Sequence, residues 1–343
     1  MENTQDSPRM LFYGPHWYDL DPQALETLKT LKPYRPVLAW ITAWASIVII
    51  VQLFLHFPKL IYLYPVVAFL IAGRIGVFFQ LIHEASHGLV FKKSSWNHWF
   101  ERWLTAYPVG LDLDNYNDAH ERHHAFTNQA ADAPSDVEKY RLPNIKDVRL
   151  WLLFLRDLLG LTAIVIQFKY AQASETKNKP EVPTNPLIKA FKKFAPIALV
   201  QFILCGALFG FNLSHYVFFW IIPLITAHMF LMRIRGIAEH GLGIQMERKD
   251  LEEKTRGAFY TRSCGTPANQ YAFRPFVWIE RLLIGSLSAY YHHEHHLYPT
   301  VPYYNLKKIH QKIGKKVKEY NPYVYAKGYF ECLFFNLYWR SSS

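Results

Sequence analysis

The chain has 343 residues, 51% of them hydrophobic and 17% aromatic, and a formal net charge of +11. Long apolar runs, rather than the length, set its class: they exclude an ordinary soluble enzyme and point to an integral membrane protein. The positive balance is assigned to cytoplasmic segments facing anionic lipid, and with no basic stripe standing apart from the apolar runs no nucleic-acid partner is expected.

Residues 1–36 form a polar arm with charges of both signs and no apolar core of the kind a cleavable signal needs. The first apolar run, Val37 to Phe57, has about the 20 residues a bilayer-crossing helix requires. After Pro58 and Lys59 a second run starts at Leu60 and continues past Arg74 to Ile82 and directly into His83. It reads as one helix that crosses the membrane, with Arg74 snorkelling to the interface and His83 about 13 Å beyond it.

Residues 88–193 are rich in Lys, Arg, Asp and Trp. Within them Val148 to Lys169 is amphipathic, and Arg149, Arg156 and Asp157 make it an interfacial helix rather than a span. Residues 174–186 read as an exposed linker. A third span is predicted over residues 194–211 and a fourth over 216–235, with Arg233 and Arg235 marking the interface before the helix runs on to His240. The tail has a short basic helix, Asn305 to Lys318, and an aromatic stretch, Phe330 to Trp339, that is too short to cross. Cys205, Cys264 and Cys332 are far apart and form no CxxC pair, which excludes an iron–sulfur or disulfide framework and suits a reducing compartment.

Topology follows from charge. The connections near Pro58 and Asn212 are short and nearly uncharged, so the arm, the middle stretch and the tail share the cytoplasmic side. The expected fold is an all-α integral membrane protein: four transmembrane helices in two hairpins under a cytoplasmic helical cap, 83–193 and 236–340, in a single domain over 37–340. Both termini are expected in the cytoplasm, and the absence of a retention motif after Arg340 points to a bacterial inner membrane.

Three histidine groups lie at the ends of these spans or in the cap: His83-Glu84-Ala85-Ser86-His87, His120-Glu121-Arg122-His123-His124 and His292-His293-Glu294-His295-His296. On a helix, positions i, i+3 and i+4 project from one side, so the groups offer two, three and three imidazoles. Eight imidazoles exceed what one tetrahedral zinc needs, so the natural reading is a dimetal site, and all-nitrogen ligation suits Zn, Cu, Fe or Ni. His240 is a ninth candidate at the end of its helix. Glu84, Glu121, Glu239 and Glu294, together with Asp112, Asp114 and Asp118, stand where a carboxylate can orient an imidazole by accepting its other N–H. His293 falls off the shared face, and His228 lies inside the fourth span, about 18 Å before His240. His16, His56, His98, His215 and His310 have no grouping and are given no role. Trp40, Trp44, Trp99 and Trp103 read as interfacial anchors.

The order HEASH, HERHH and HHEHH followed by Leu-Tyr-Pro, with the hairpin spacing, resembles the membrane fatty acid desaturase superfamily over roughly residues 40–310. That group of integral membrane di-iron enzymes also includes acyl and alkane hydroxylases and carotenoid hydroxylases and ketolases. The resemblance implies two Fe ions held by His83, His87, His120, His123, His124, His240, His292, His295 and His296, O2 as co-substrate, two externally supplied electrons, and no catalytic residues beyond the ligands. The first box is HxxxH rather than the HxxxxH of animal-type acyl-CoA desaturases, and the third begins with His292 where front-end desaturases carry Gln. The chain lacks the haem signature of a fused b-type cytochrome, and its Gly241-x-Gly243 is no dinucleotide fingerprint. Electrons are therefore expected from a separate ferredoxin, rubredoxin or b-type cytochrome, and the basic face with Lys307, Lys308, Lys312, Lys315 and Lys316 suits an acidic donor. The implied reaction puts a double bond into a fatty acyl chain taken from the bilayer. Hydroxylation or ketolation of an acyl lipid or carotenoid is the alternative in the same superfamily. A non-redox metal-binding or transport protein is the distant one, for the spans hold no path of ionisable groups beyond His228 and His56.

Overall fold

The computed structural model describes residues 20–127, 148–166, 186–240, 261–265, 275–320 and 324–330. The linker read over 174–186 and the stretch Phe330 to Trp339 fall almost wholly outside them, as does Cys332. Among the described residues four helical segments are long and apolar enough to cross a membrane: Tyr34–His56, Pro58–Ser86, Phe191–Phe209 and Leu213–His240.

A short helix, α1 (Pro22–Leu28), is capped by Asp21, whose carboxylate accepts the Ala24 N–H. It leads to α2 (Tyr34–His56), which ends at Phe57 before a 3-10 turn, Pro58–Leu63, and α3 (Tyr64–Ser86). Pro65 in the first turn of α3 removes an N–H that has no helical partner in any case. Ring contacts run in opposing order along α2 and α3, Phe54 meeting Tyr64 at 6.4 Å and Trp44 meeting Phe78 at 4.7 Å. Trp44 also stacks on Trp220, and Trp40 donates to the Leu104 carbonyl, so both work in the packing. The outer face of α2 leaves Leu38, Ile49 and Leu53 more than half exposed, as a lipid-facing stripe does.

The central element is α3, with Ile71, Ile75, Phe78, Leu81 and Ile82 fully buried. At Gly73 it meets a crossing helix, α9 below, so closely that a Cβ would stand 2.9 Å from both Leu282 O and Leu283 Cα. Beyond α3 come α4 (Ser94–Trp99), a π turn (Phe100–Ala106), and α5 (Leu113–Phe126).

The amphipathic run expected over Val148 to Lys169 is two pieces. The helix α6 (Val148–Leu158) stops at Leu159 and Gly160, whose φ of +75° favours glycine, and a second helical stretch covers 161–166. Its charges divide: Arg149 is exposed, whereas Asp157 is fully buried in a two-pronged ion pair with Arg233. Arg235 likewise turns inward to Glu239 at 2.9 Å. The sequence displays the arginines of the fourth span but not their partners, and a charge with an unseen partner reads as an interface marker.

The third span is α7 (Pro186–Phe209). The fourth departs from one continuous helix. It is built from Leu213–Tyr216, a π turn over Val217–Ile221 and a short Ile222–Ile225 piece, and it breaks at Thr226 (φ −114°, ψ −85°) before α8 (Ala227–His240). Pro223, which cannot donate to the preceding turn, sits beside that break. The end of α8 is where the sequence places it, at His240.

The remaining segments pack against these helices, α3 above all. They comprise α9 (Pro275–Leu283), α10 (His292–Leu297), α11 (Leu306–Tyr320), and a departure from the all-helical expectation, β1 (Ser263–Cys264) paired in parallel with β2 (Tyr325–Ala326). Along α11, Leu306, Ile309, Ile313 and Val317 are buried against Tyr291, Val301 and Val324, whereas Lys307, Lys308, Lys312, Lys315 and Lys316 are exposed.

Candidate metal centre

Four helices bring nine histidines together. His83 lies in the last turn of α3 and His87 caps it before Gly88, whose φ of +73° turns the chain away. His120, His123 and His124 are on α5, His240 is the final residue of α8, and His292, His295 and His296 are on α10.

The imidazoles sort into two groups. His83, His87, His120, His124 and His295 form one and His123, His240, His292 and His296 the other, with the ligand atoms of each group all within 4.8 Å of one another. The three rings of an HxxHH box therefore do not share one destination, as the spacing alone suggested. Residues four apart differ by about 40° around a helix and stay together (His83 with His87, His120 with His124, His292 with His296). The i+3 ring is about 100° from its i+4 neighbour and crosses to the other group, as His123 and His295 do. His124 stacks on His296 at 4.3 Å, so the groups adjoin.

Within each group, ring nitrogens from different helices face one another: His120 Nε2 to His87 Nε2 at 2.9 Å and His295 Nε2 to His124 Nε2 at 3.1 Å in the larger, and His292 Nε2 to His240 Nε2 at 2.9 Å in the smaller. Burial pulls the His87 imidazole down to about 4. It holds His120, His124, His292, His295 and His296 well below the usual histidine range, with neighbouring histidines adding to the effect. These rings are neutral at pH 7, with lone pairs turned inward, and His295 Nδ1 and His296 Nε2 are buried without a hydrogen-bond partner. Buried, inward lone pairs of this kind fit cations, and imidazole donors suit first-row transition metals.

Because the folded protein binds fewer protons than the unfolded chain, the metal-free protein gains stability as pH rises from about 4 to 6.5. That stability is fully present above the ordinary histidine value and is lost as pH falls through the folded one. Thermal midpoints of metal-free protein in detergent should drop steadily between pH 7 and pH 5; a flat profile contradicts neutral buried rings.

The neighbours of the rings are specific. Glu239 Oε2 receives Arg235 Nε at 2.9 Å and lies 3.3 Å from His292 Nδ1, and its Oε1 accepts the Tyr329 hydroxyl at 2.9 Å. Arg235 also donates to Gln80 Oε1 at 3.2 Å, while Gln80 Nε2 is 3.4 Å from His83 Nδ1. A polar chain thus joins a ring of one group to a ring of the other. Glu84 is buried and accepts the Tyr303 N–H at 3.0 Å, which fixes the segment after Leu-Tyr-Pro to α3. Glu121 and Asp118 are exposed on α5, so the expected orienting role does not fit Glu121, one position off the His120 face. Asp112 pairs with Lys193 at 2.8 Å, away from that role.

His310, given no role from the sequence, is buried on α11 with Nδ1 2.5 Å from Glu294 Oε1; Ser263 Oγ donates to Glu294 Oε2 at 2.5 Å. Burial alone would raise the Glu294 carboxyl, but His310 and Ser263 override it and hold the group below the ordinary carboxylate range. The available signal was a histidine inside the apolar stripe of an amphipathic helix. His293 Nδ1 lies 3.2 Å from Thr261 Oγ1, outside both groups, and His228 stacks on Phe79 at 4.5 Å within the bundle. Replacing His310 with Ala leaves Glu294, on α10 between the ligand-candidate histidines, short of a partner, and metal affinity should fall, by less than the roughly 10- to 100-fold of a group bonded directly to a ligand. Titration of the metal-free variant checks this; unchanged affinity would remove His310 from the support of the centre.

The profile of the fatty acid desaturase family matches residues 60–328, a stretch that includes all nine histidines. A curated relative, the dihydrorhizobitoxine desaturase of Bradyrhizobium elkanii, is 24% identical over 261 residues, 74% of this chain and 68% of that protein.

Proposed function

This chain belongs to the fatty acid desaturase family, and from that premise we propose that it is an O2-dependent di-iron enzyme that introduces a double bond into a fatty acyl chain in the membrane. The observation that carries the reading is the sorting of nine buried or half-buried imidazoles into adjoining groups of five and four, beside the ends of two of the apolar helices. The nine rings would hold two iron ions, which when bound would supply activation of dioxygen and removal of hydrogen from an unactivated C–H bond.

The chain's own residues do the rest. In this reading the four spans pair as two hairpins and the histidines face the cytoplasm, where an acyl chain enters from the bilayer; the short, nearly uncharged connections near Pro58 and Asn212 support that orientation. Glu239 orients His292, and Arg235 and Gln80 tie it to His83, so the two groups keep a fixed relation. The overall change is –CH2–CH2– + O2 + 2e− + 2H+ → –CH=CH– + 2H2O. Two electrons come from a separate one-electron carrier that docks on the lysine face of α11, whose opposite face holds His310 against Glu294. The Bradyrhizobium relative is a desaturase by name, which supports loss of hydrogen over insertion of oxygen.

The test is mass spectrometry of total lipids from an aerobic host that supplies a competent donor, expressing wild type or a His83→Ala variant. Acyl chains lighter by two hydrogens only with wild type are expected. Gain of oxygen on acyl chains or carotenoids would replace the proposal with a hydroxylase or ketolase, and unchanged lipids would overturn the acyl substrate.

A further inference from the structure

On a helix that faces water, the charged residues point out and the apolar ones point in. Two helices of this chain, both too short to cross a membrane, are built the other way round. On α9, Trp278 is 71% exposed, and Ile279 and Leu282 on the same stripe are nearly half exposed. Its two charged residues turn inward. The Glu280 carboxylate accepts the Tyr329 and Phe330 N–H groups, each at 3.0 Å, and the Arg281 guanidinium lies 4.3 Å from the Tyr290 ring centre and donates to the Gly265 carbonyl. The helix α6 repeats the pattern: Trp151, Leu152 and Leu155 are more than half exposed, while Asp157 is sealed against Arg233 and Arg156 donates to Thr162 Oγ1 at 3.1 Å. Arg149 is exposed in the first turn of α6, where an arginine can reach lipid headgroups.

The depth of α9 follows from its crossing with α3. The two backbones meet at Gly73, where a Cβ would stand 2.9 Å from Leu282 O, and the next residue, Arg74, donates to that same carbonyl. Gly73 lies nine residues from the Tyr64 end of α3, about 14 Å along a helix that crosses a hydrocarbon layer about 30 Å thick. The crossing therefore falls within the layer, and His83 is about 15 Å further on. The depth of α6 is set by Asp157 on Arg233, which precedes His240 by seven residues, or about 10 Å. Both helices thus sit on the histidine side of the bilayer, about 10–15 Å below the rings.

We propose that α6 and α9 form a belt of in-plane helices sunk in the acyl chains of the leaflet that carries the histidine centre. Trp278, Ile279 and Leu282 meet lipid beside α3, and Trp151, Leu152 and Leu155 meet it beside α8. The occupant of these faces is lipid because they lie at the depth of the spans and are continuous with them; the outer stripe of α2 faces the same medium. Residues 148–158 and 275–283, read from the sequence as parts of a cytoplasmic cap, belong instead to the membrane. The belt brings hydrocarbon close beneath the two histidine groups, and it holds whatever reaction they perform.

The test is spin labelling of the full chain in vesicles of phosphatidylcholine and phosphatidylglycerol. Its own three cysteines are replaced by Ala, and single cysteines are introduced by Trp278→Cys, Leu282→Cys and Leu155→Cys, with Lys312→Cys on α11 as the water-facing reference. Oxygen concentrates in hydrocarbon and a nickel chelate in water. Labels at 278, 282 and 155 should collide with oxygen severalfold more often than with the chelate, and the label at 312 the reverse. Preference for the chelate at 278 and 282 would overturn the belt. Protection from both reagents would overturn it too, since protein rather than lipid then covers the face. A second measurement keeps the native cysteines: lipids brominated on their acyl chains should quench a larger fraction of tryptophan fluorescence in wild type than in Trp278→Phe. Equal or smaller fractional quenching of wild type would overturn the lipid contact of α9.

Discussion

In the proposed dimetal centre, replacing His123 with Ala should remove one of the two metal ions and abolish product, while the chain stays in its membrane. His123 belongs to the group of four with His240, His292 and His296, although it neighbours His124 in the sequence. Its loss leaves three imidazoles there and all five in the other group. Even a group that merely orients a ligand is worth 10- to 100-fold, so loss of a ligand should lower activity by at least about a hundredfold. The companion His124→Ala removes a ring from the group of five and should deplete the other ion. Metal per chain, measured by mass spectrometry beside product formation, checks both. Loss of both ions together in each variant, or of neither, would contradict the sorting.

Glu239→Ala should have the second large effect, on stability and on the smaller group at once. The carboxylate meets Arg235, Tyr329 and His292, so α8, the segment after β2 and α10 converge on one side chain. Removing it leaves the Arg235 guanidinium, whose side chain is only 16% exposed, with its charge uncompensated, which costs up to about 3–5 kcal/mol. It also frees His292 to rotate, with a further loss of about 10- to 100-fold in metal affinity. Adding Arg235→Met to Glu239→Ala separates the two effects. The double variant should recover most of the stability, read from thermal unfolding in detergent, and little of the affinity. Recovery of both would mean that Glu239 serves only to neutralise Arg235.

The residues that converge on the centre were legible because their spacing is helical and their identity is chemical. All nine histidines named from the three boxes and from the end of the fourth span meet in the fold. Their division was also latent in the spacing, since i and i+4 stay together and i+3 departs, but the boxes do not say which rings from different helices meet. Features that depend on distant partners were not legible. Arg233 resembles an interface marker until Asp157, 76 residues away, is found against it. His310 resembles a lone histidine until Glu294 is placed under it. Glu121, adjacent to a box and of the right type, is turned outward by a single position. The break at Thr226 was hidden because apolar content measures whether a segment can cross, not whether its helix is continuous.

The most direct measurement is Mössbauer spectroscopy and metal analysis of protein purified from cells grown on iron-57. Two irons per chain in two distinguishable environments, matching five and four imidazoles, is the expected result. A single iron per chain, or zinc filling the sites in active protein, would contradict a di-iron centre shared between the two histidine groups.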